Sequence, residues 1–510
     1  MSKENYLSNI RLRKSKTDDE RTQEVENKDK RNSFESDFGR VVFSSACRRL
    51  HDKTQVFPLT SDDNIHSRLT PSMEVMSIGR SLAADLYDNP EFKSRFQPDE
   101  MSDTDFYRTL ESILMTTCLV HDIGNPPFGH FGETIIQNYF EDLFFKLRIA
   151  LRSENPEEYN DIIKNILTTK GVNKDVEKGK LNKFLDENNP ELLDFTMFDG
   201  NAQGFRVLTK LQFLNDLKGL NLCSGTLAAY LKYPNIGNKN KGLASKHKHG
   251  VYTTEKNELM QVMTNCGIDA IDETSYMRHP FSYLMEAADT ICYLIMDYED
   301  AISKEWLRYD DLCGVLCDNP NGREVVAKAK SHYKESDPDK KKVVQLRSDL
   351  MSYFVNQTVN RFMSNLDRII EGDFNEELLF DESDPQNLAK LIQASSRDRI
   401  YSHKEIESLE ITSSTVMTGL MDNYIKYFFH KDDNFRKRAK HIVSHTCFNA
   451  TLQEHLLATG SQAKAWDVYK DFDPKDFTIG ERLRIVRDFI SGMTDKYALS
   501  HYQELNGLKL

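Results

Sequence analysis

Apolar residues recur at steps of three and four along most of this chain, and no extended two-residue alternation competes with them. Steps of three and four line one face of an α-helix, whereas a half-buried strand alternates every second residue. Met73, Val75, Met76, Ile78, Leu82 and Leu86 form one such stripe. Leu110, Ile113, Leu114, Thr117, Cys118 and Val120 form another. Residues 280–303 make the clearest helix, and the rest of the chain to 510 reads as mostly helical, with polar breaks near 318–322, 334–341 and 382–386. With no internal repeat in view, the fold class predicted is mainly α.

At 510 residues the chain can bury a large core, as one big domain or two. Residues 1–32 are polar and mixed in charge, which predicts a mobile tail, with order beginning near Phe34. A helical core is expected over 33–310, and a helical C-terminal region over 311–510 completes the fold. Within the core, residues 151–190 are rich in Asn, Lys, Glu and Asp and read as a surface insertion, while 234–250 read as a basic loop. Hydrophobic residues make up 39% and charged residues 29%, and no run approaches ~18 apolar residues, so no membrane span is expected. The first residues lack the charged-then-apolar order of a signal peptide. The eight cysteines are scattered as reduced cysteines are, which predicts the cytoplasm. Cys313 and Cys317 share a helical face, but no second pair accompanies them, so they read as structural. A net charge of −13 disfavours a general nucleic-acid coat, and an anionic substrate would need a local basic pocket.

Chemistry concentrates in residues 121–133, His-Asp-Ile-Gly-Asn-Pro-Pro-Phe-Gly-His-Phe-Gly-Glu. The second stripe runs straight into His121 and Asp122, and Gly124 with Pro126-Pro127 stops that helix. Adjacent His121 and Asp122 can each offer a donor to one metal ion. His130 and Glu133 follow at a spacing of three, on one helical face beside whatever the first pair binds. An apolar core would not choose these groups, because an unpaired buried charge is costly. The segment reads as a metal-dependent hydrolytic site.

Three other constellations have two readings each. Glu286, Asp289, Tyr293 and Asp297 make a polar stripe on an otherwise apolar helix, either a solvated edge or the wall of a pocket. The small residues Ala287 and Ala288 favour the wall, by letting a backbone or metal approach Asp289. The loop containing Lys239, Lys241, Lys246, His247, Lys248 and His249 is either plain soluble surface or a phosphate clamp. Asn201, at the mouth of a helix, is either its N-cap or an amide that reads a base or sugar. Gln55, in a mostly apolar run, needs a partner from backbone or ligand.

Together these stretches resemble the HD-domain phosphohydrolases, specifically the bacterial dGTPase group of deoxynucleotide triphosphohydrolases. The likeness covers roughly 34–500. It is carried by Phe34-Glu35-Ser36-Asp37, Arg48-Arg49-Leu50, Lys53 to Leu59, Arg68-Leu69-Thr70, His121 to Glu133, Gly200 to Gly204, Lys232-Tyr233, Glu286 to Asp289 and Asp488 to Asp495. It implies an α-helical HD fold, one divalent ion per site, Mg²⁺ or Mn²⁺, and hydrolysis of a dNTP, dGTP foremost, to deoxynucleoside and triphosphate. By the same likeness His121, Asp122 and Asp289 are metal ligands, and His130 and Glu133 act on the attacking water. Gln55, Asn201, Lys232, Tyr233, Tyr293 and Asp297 face the substrate, with Tyr293 suited to select deoxyribose sterically. The likeness also implies a homo-oligomer, with a hexamer as the specific expectation, and single-stranded DNA as an effector.

One position departs from the family pattern. Its first metal ligand is a histidine just before Ser-Met-Glu-Val, and here that residue is Pro71. Proline offers no side-chain donor. The helix itself is expected to survive, with Thr70 as cap and Pro71 in the first turn. The chain thus reads as a dNTPase whose metal shell lacks one ligand, or as a dNTP-binding relative with impaired hydrolysis.

Overall fold

The computed structural model describes residues 3–12, 30–53, 68–152, 162, 165–166, 174–212, 219–237, 244–381 and 383–508. Gln55, Lys239 and Lys241 lie outside the described residues. The fold is mainly α, as the periodicity predicts. Strands among the described residues amount to one antiparallel hairpin, Ala270–Asp272 with Ser275–Tyr276.

The architecture rests on α1 (Leu69–Tyr87), α2 (Asp103–Val120), α3 (Gly129–Arg152), α4 (Gly200–Arg206), α5 (Ser224–Tyr230), α6 (Pro280–Ser303), α7 (Asp339–Ser364), α8 (Lys404–Phe428) and α9 (Ile479–Ser491). Local chemistry sets several of the ends. Ser102 caps α2 by accepting from the Asp105 N–H, with Asp103 and Asp105 in its first turn. Helix α6 starts on Pro280, where a missing N–H costs nothing, and His279 caps it from the side chain. Thr70 does not cap α1: the helix already begins at Leu69, with Arg68 before it. Pro71 is tolerated because it still lies among the first four residues, whose N–H groups have no intrahelical partner.

Two apolar clusters fill the interior. The first packs α1, α2, α6 and α7 around Leu82, Leu110, Ile291 and Phe362. The second packs α3, α8 and α9 around Phe140, Leu420 and Leu483. Each such side chain, fully buried, contributes about 1.5–3 kcal/mol. The loop between α2 and α3 sends Ile123 into the first cluster and Phe128 into the second. The segment 121–133 therefore lies on the seam between them.

The interior does not divide at residue 310. The first cluster continues through Leu388, Ile392 and Ile400, so the segment 311–400 shares the interior of the earlier half. The polar break near 318–322 is a helix start rather than a boundary, with Asn319 capping Asn321 and Gly322 ahead of Pro320–Lys330. Residues 3–12 also differ from the mobile tail expected of 1–32. Tyr6, Leu7 and Leu12 are buried, the Ile10 carbonyl accepts from Ser224 N–H at 2.8 Å, and Arg11 pairs with Asp37 at 2.6 Å. A few apolar anchors in a polar stretch leave little trace in composition. In the insertion near 151–190, Leu181 and Phe184 are buried, with the Phe184 ring 5.6 Å from that of Phe144 on α3. No helix among the described residues is long and apolar enough to cross a membrane.

Candidate active site

Helix α2 ends at Val120, and the chain turns with Ile123 N–H on the Val120 carbonyl and Asn125 N–H on the Asp122 carbonyl. Gly124 is required there. A Cβ at 124 would stand 2.0 Å from Gly204 N and 2.2 Å from Gly200 O, so only glycine lets α4 pack against the loop. Phe128 has φ +63°, a conformation costly for a bulky residue. Its N–H donates to Asp495 at 2.9 Å, which helps hold the turn from which α3 starts.

The turn aims His121 and Asp122 at α6. His121 Nδ1 bonds the Cys118 carbonyl at 2.7 Å, leaving Nε2 to face Asp289 at 3.3 Å and Asp122 at 3.6 Å. The three predicted metal donors thus converge. Burial opposes a charged imidazole, yet the two carboxylates lift His121 to about 9. Burial likewise opposes a charged Asp122, but Arg68 and His121 hold its carboxyl far below the ordinary range. Arg68, immediately before α1, forms an ion pair with Asp122 Oδ2.

His130 and Glu133, on the first turn of α3, pair at 3.0 Å through Nδ1. The other Glu133 oxygen accepts from Gly200 N–H at 2.7 Å, so the carboxylate is fixed at both ends. Glu133 is buried while His130 stands exposed at the cavity mouth. The neighbouring Glu133 raises the His130 imidazole above its usual value.

These groups share a cavity of about 400 Å³ with Asn201, Lys232, Tyr233, Asp289, Tyr293 and Asp297. All the predicted site residues within the described chain therefore line one space, apart from Glu133, which acts on it through His130. The α6 stripe is the wall of that pocket rather than a solvated edge. Glu286 is 2% exposed and holds Arg278 at 2.8 Å and Lys232 at 3.2 Å, fixing the lysine at the cavity wall. Asn201 is not the cap of α4: Asp199 is, accepting from Asn201 N at 2.9 Å and from its side-chain amide at 2.7 Å. Among the described residues of the basic loop, Lys248 alone reaches the cavity, 3.5 Å from Asp199. Lys246 is buried against Asp272, and His249 accepts from Gly237 N–H at 2.6 Å.

Four lining residues carry no role in the sequence: Arg68, Asn125, Met285 and Tyr401, while Lys248 figures there as one residue of the basic loop. Asn125 and Arg68 lay inside the informative stretches, and Lys248 was one of several lysines. Tyr401 had no local signal, since it arrives from the end of the helical segment Arg397–Tyr401, about a hundred residues after α6. Its hydroxyl donates to Asp297, while Gln393 donates to the Tyr293 hydroxyl at 2.9 Å.

Burial pushes the Asp297 carboxyl up to about 7, against the Tyr401 hydrogen bond and with help from Asp300 and Asp289. A carboxyl that holds its proton longer when folded weakens the fold as pH rises. From the unfolded value of 3.8 to about 7 the folded state carries a proton the unfolded state has lost, and above that no further change follows. Asp297→Asn, which keeps the acceptor for Tyr401, is expected to gain more than about 1 kcal/mol relative to the parent between pH 4 and 7. Urea unfolding across that range checks it, and a constant difference between the two proteins would refute the assignment.

The trio suits a divalent ion in donor type and convergence. One imidazole nitrogen and two carboxylates stand at separations compatible with shared coordination, with the imidazole oriented by a backbone carbonyl, as ligating histidines are. Among the described residues no His, Cys, Asp or Glu cluster of three or more is arranged as a finished metal site. Arg68 already engages Asp122, and position 71 is a buried proline.

Residues 382–504 match the family model of a phosphohydrolase-associated domain. A deoxyguanosinetriphosphate triphosphohydrolase-like protein of Listeria innocua serovar 6a is 33% identical over 94% of this chain and 95% of its own length. One of Pseudomonas aeruginosa LESB58 is 31% identical, covering 94% of each chain. The deoxyguanosinetriphosphate triphosphohydrolase of Serratia proteamaculans is 30% identical over 92% of this chain and 93% of its own. A helical scaffold with a His-Asp pair facing a distant aspartate is the HD class of phosphohydrolase. Within that class the chain belongs to the deoxyguanosinetriphosphate triphosphohydrolase family.

Proposed function

We propose that the chain hydrolyses a deoxynucleoside triphosphate, dGTP foremost, to the deoxynucleoside and inorganic triphosphate. The observation that supports this most is the convergence, in one cavity, of His121, Asp122 and Asp289 with two lysines and with His130, itself held by Glu133. His121 Nε2, Asp122 and Asp289 would hold one Mg²⁺ or Mn²⁺, which when bound supplies Lewis acidity toward the α-phosphate. Lys232 and Lys248 neutralise the polyphosphate. Tyr293, on the cavity wall, would exclude ribose by occupying the space a 2′-hydroxyl needs. His130, whose protonated form Glu133 favours, delivers a proton to the departing 5′-oxygen as water adds to the α-phosphorus and the P–O5′ bond breaks.

A second reading has its own observation. With Pro71 in the first turn of α1 and Arg68 already on Asp122, the chain binds dNTP but turns it over slowly. Residues three apart on a helix share a face, so a side chain at 71 points the way Arg68 does. Pro71→His is therefore expected to tighten Mn²⁺ binding about 10–100-fold, the range lost when a ligand's support is removed, and to raise triphosphate release. Metal titration and a triphosphate-release assay on both proteins decide the matter. Equal, high rates in the two would show that position 71 does not serve the metal.

A further inference from the structure

A second and larger cavity, of about 590 Å³, lies on the other side of the 121–128 loop and shares no lining residue with the first. Its walls come from both ends of the described chain: Arg49 and Lys53 on one side, Ile123 and Gly124 of the loop, Gln203 of α4, and the turn after α9. The volume falls in the range that holds a small metabolite.

Three features give this space a chemical character. Arg49 bonds only the Ser45 hydroxyl, at 3.5 Å, with no carboxylate against it among the described residues. Lys53 is 3% exposed and donates to two carbonyls, that of Asn125 and that of Ser491 at 3.1 Å, again with no carboxylate in contact. Burial, with Arg49 nearby, brings its ammonium down to about 7, against the weaker pull of Asp495 and Asp122. Gln203 is 1% exposed, and its Oε1 has no hydrogen-bond partner. Two carboxylates also line the space without serving these cations. Asp488 is held by Arg206 and Arg487, and Asp52 is half exposed beside His51.

Two neighbouring cations with no carboxylate in contact among the described residues suit an anion, and an orphaned buried acceptor calls for a donor. Apolar wall from Ile123, Val207, Leu211 and Phe489 leaves room for a carbon skeleton between them. The geometry points to a second ligand site for a phosphate ester that carries an O–H or N–H donor, seated against the back of the 121–128 loop. Its phosphate would lie on Arg49 and Lys53 and its donor on Gln203. Lys53 joins the two cavities, because the carbonyl it holds belongs to Asn125, whose side chain lines the active one.

Calorimetric titration of the full chain with dGMP, ribose 5-phosphate and inorganic phosphate tests this. At least one ester is expected to bind in a step that Arg49→Glu weakens tenfold or more and that Lys248→Ala, in the active cavity, leaves unchanged. Gln203→Leu is expected to weaken the ester and not inorganic phosphate. Unfolding midpoints matching the parent's establish that the variants fold. Ester binding insensitive to Arg49→Glu, or abolished by Lys248→Ala, would overturn the site. Inorganic phosphate binding as tightly as both esters would overturn the ester assignment. None of these readouts requires hydrolysis, so loss of the proposed activity would leave the test intact.

Discussion

His130→Ala is expected to lower triphosphate release about 10²–10⁴-fold, the usual contribution of a positioned acid–base group, while dGTP binding changes little. The expectation follows from how the imidazole is held. Its Nδ1 is engaged by Glu133, which is itself fixed by Gly200, so Nε2 is left for the substrate at the cavity mouth. Glu133→Gln provides the control that separates proton transfer from simple positioning. The amide can still accept from a ring N–H but cannot favour the imidazolium, so the His130 value must fall. If protonated His130 is the active form, the alkaline limb of the pH–rate profile moves to lower pH in Glu133→Gln. Both variants belong in the native and the Pro71→His chains, so that a slow parent does not mask the loss. Turnover by His130→Ala equal to its parent's would remove this residue from the chemistry.

The helical fold and half of this site were legible because both rest on short-range patterns. Stripes at three and four residues report helix directly, and the bounds 280–303 are those observed for α6. His121, Asp122, His130 and Glu133 were readable because thirteen residues carry all four. Asp289 was readable as a partner only through the small residues beside it and the family likeness. What stayed hidden depends on tertiary approach. Tyr401 meets Asp297 across a hundred residues, and nothing around Tyr401 signals it. The packed segment 3–12 was hidden for the opposite reason: its polar surroundings outweigh Tyr6, Leu7 and Leu12 in any compositional window. The basic loop misled because lysines look alike in sequence. One reaches the cavity and another is consumed by Asp272.

Arg206→Met is expected to destabilise the fold by about 3–5 kcal/mol, the cost of leaving buried charge uncompensated. Arg206 ends α4 with no exposed surface, and its guanidinium meets Asp488 at 2.7 Å, Glu255 at 2.6 Å and Glu454 at 3.1 Å. Lys210 and Arg484 bind the same Glu454 at 2.9 Å each, and Arg487 binds Asp488 at 2.8 Å. Removing one cation therefore leaves three carboxylates short of compensation, two of them, Glu255 and Asp488, with no exposed side-chain surface. The pH dependence follows from their charge. Burial opposes the ionised Glu454, but Arg206, Lys210 and Arg484 hold it well below its usual value. A depressed carboxyl adds stability that is present at neutral pH and lost as acid protonates it. The deficit of Arg206→Met should accordingly be largest near pH 7 and shrink toward pH 4, and urea unfolding at the two values measures it. Against a total stability of roughly 5–15 kcal/mol, such a loss leaves little margin. It would also loosen the seat of α4, which carries Asn201 into the active cavity and Gln203 into the second. A deficit below about 1 kcal/mol at pH 7 would mean that apolar packing alone holds α4 to α9.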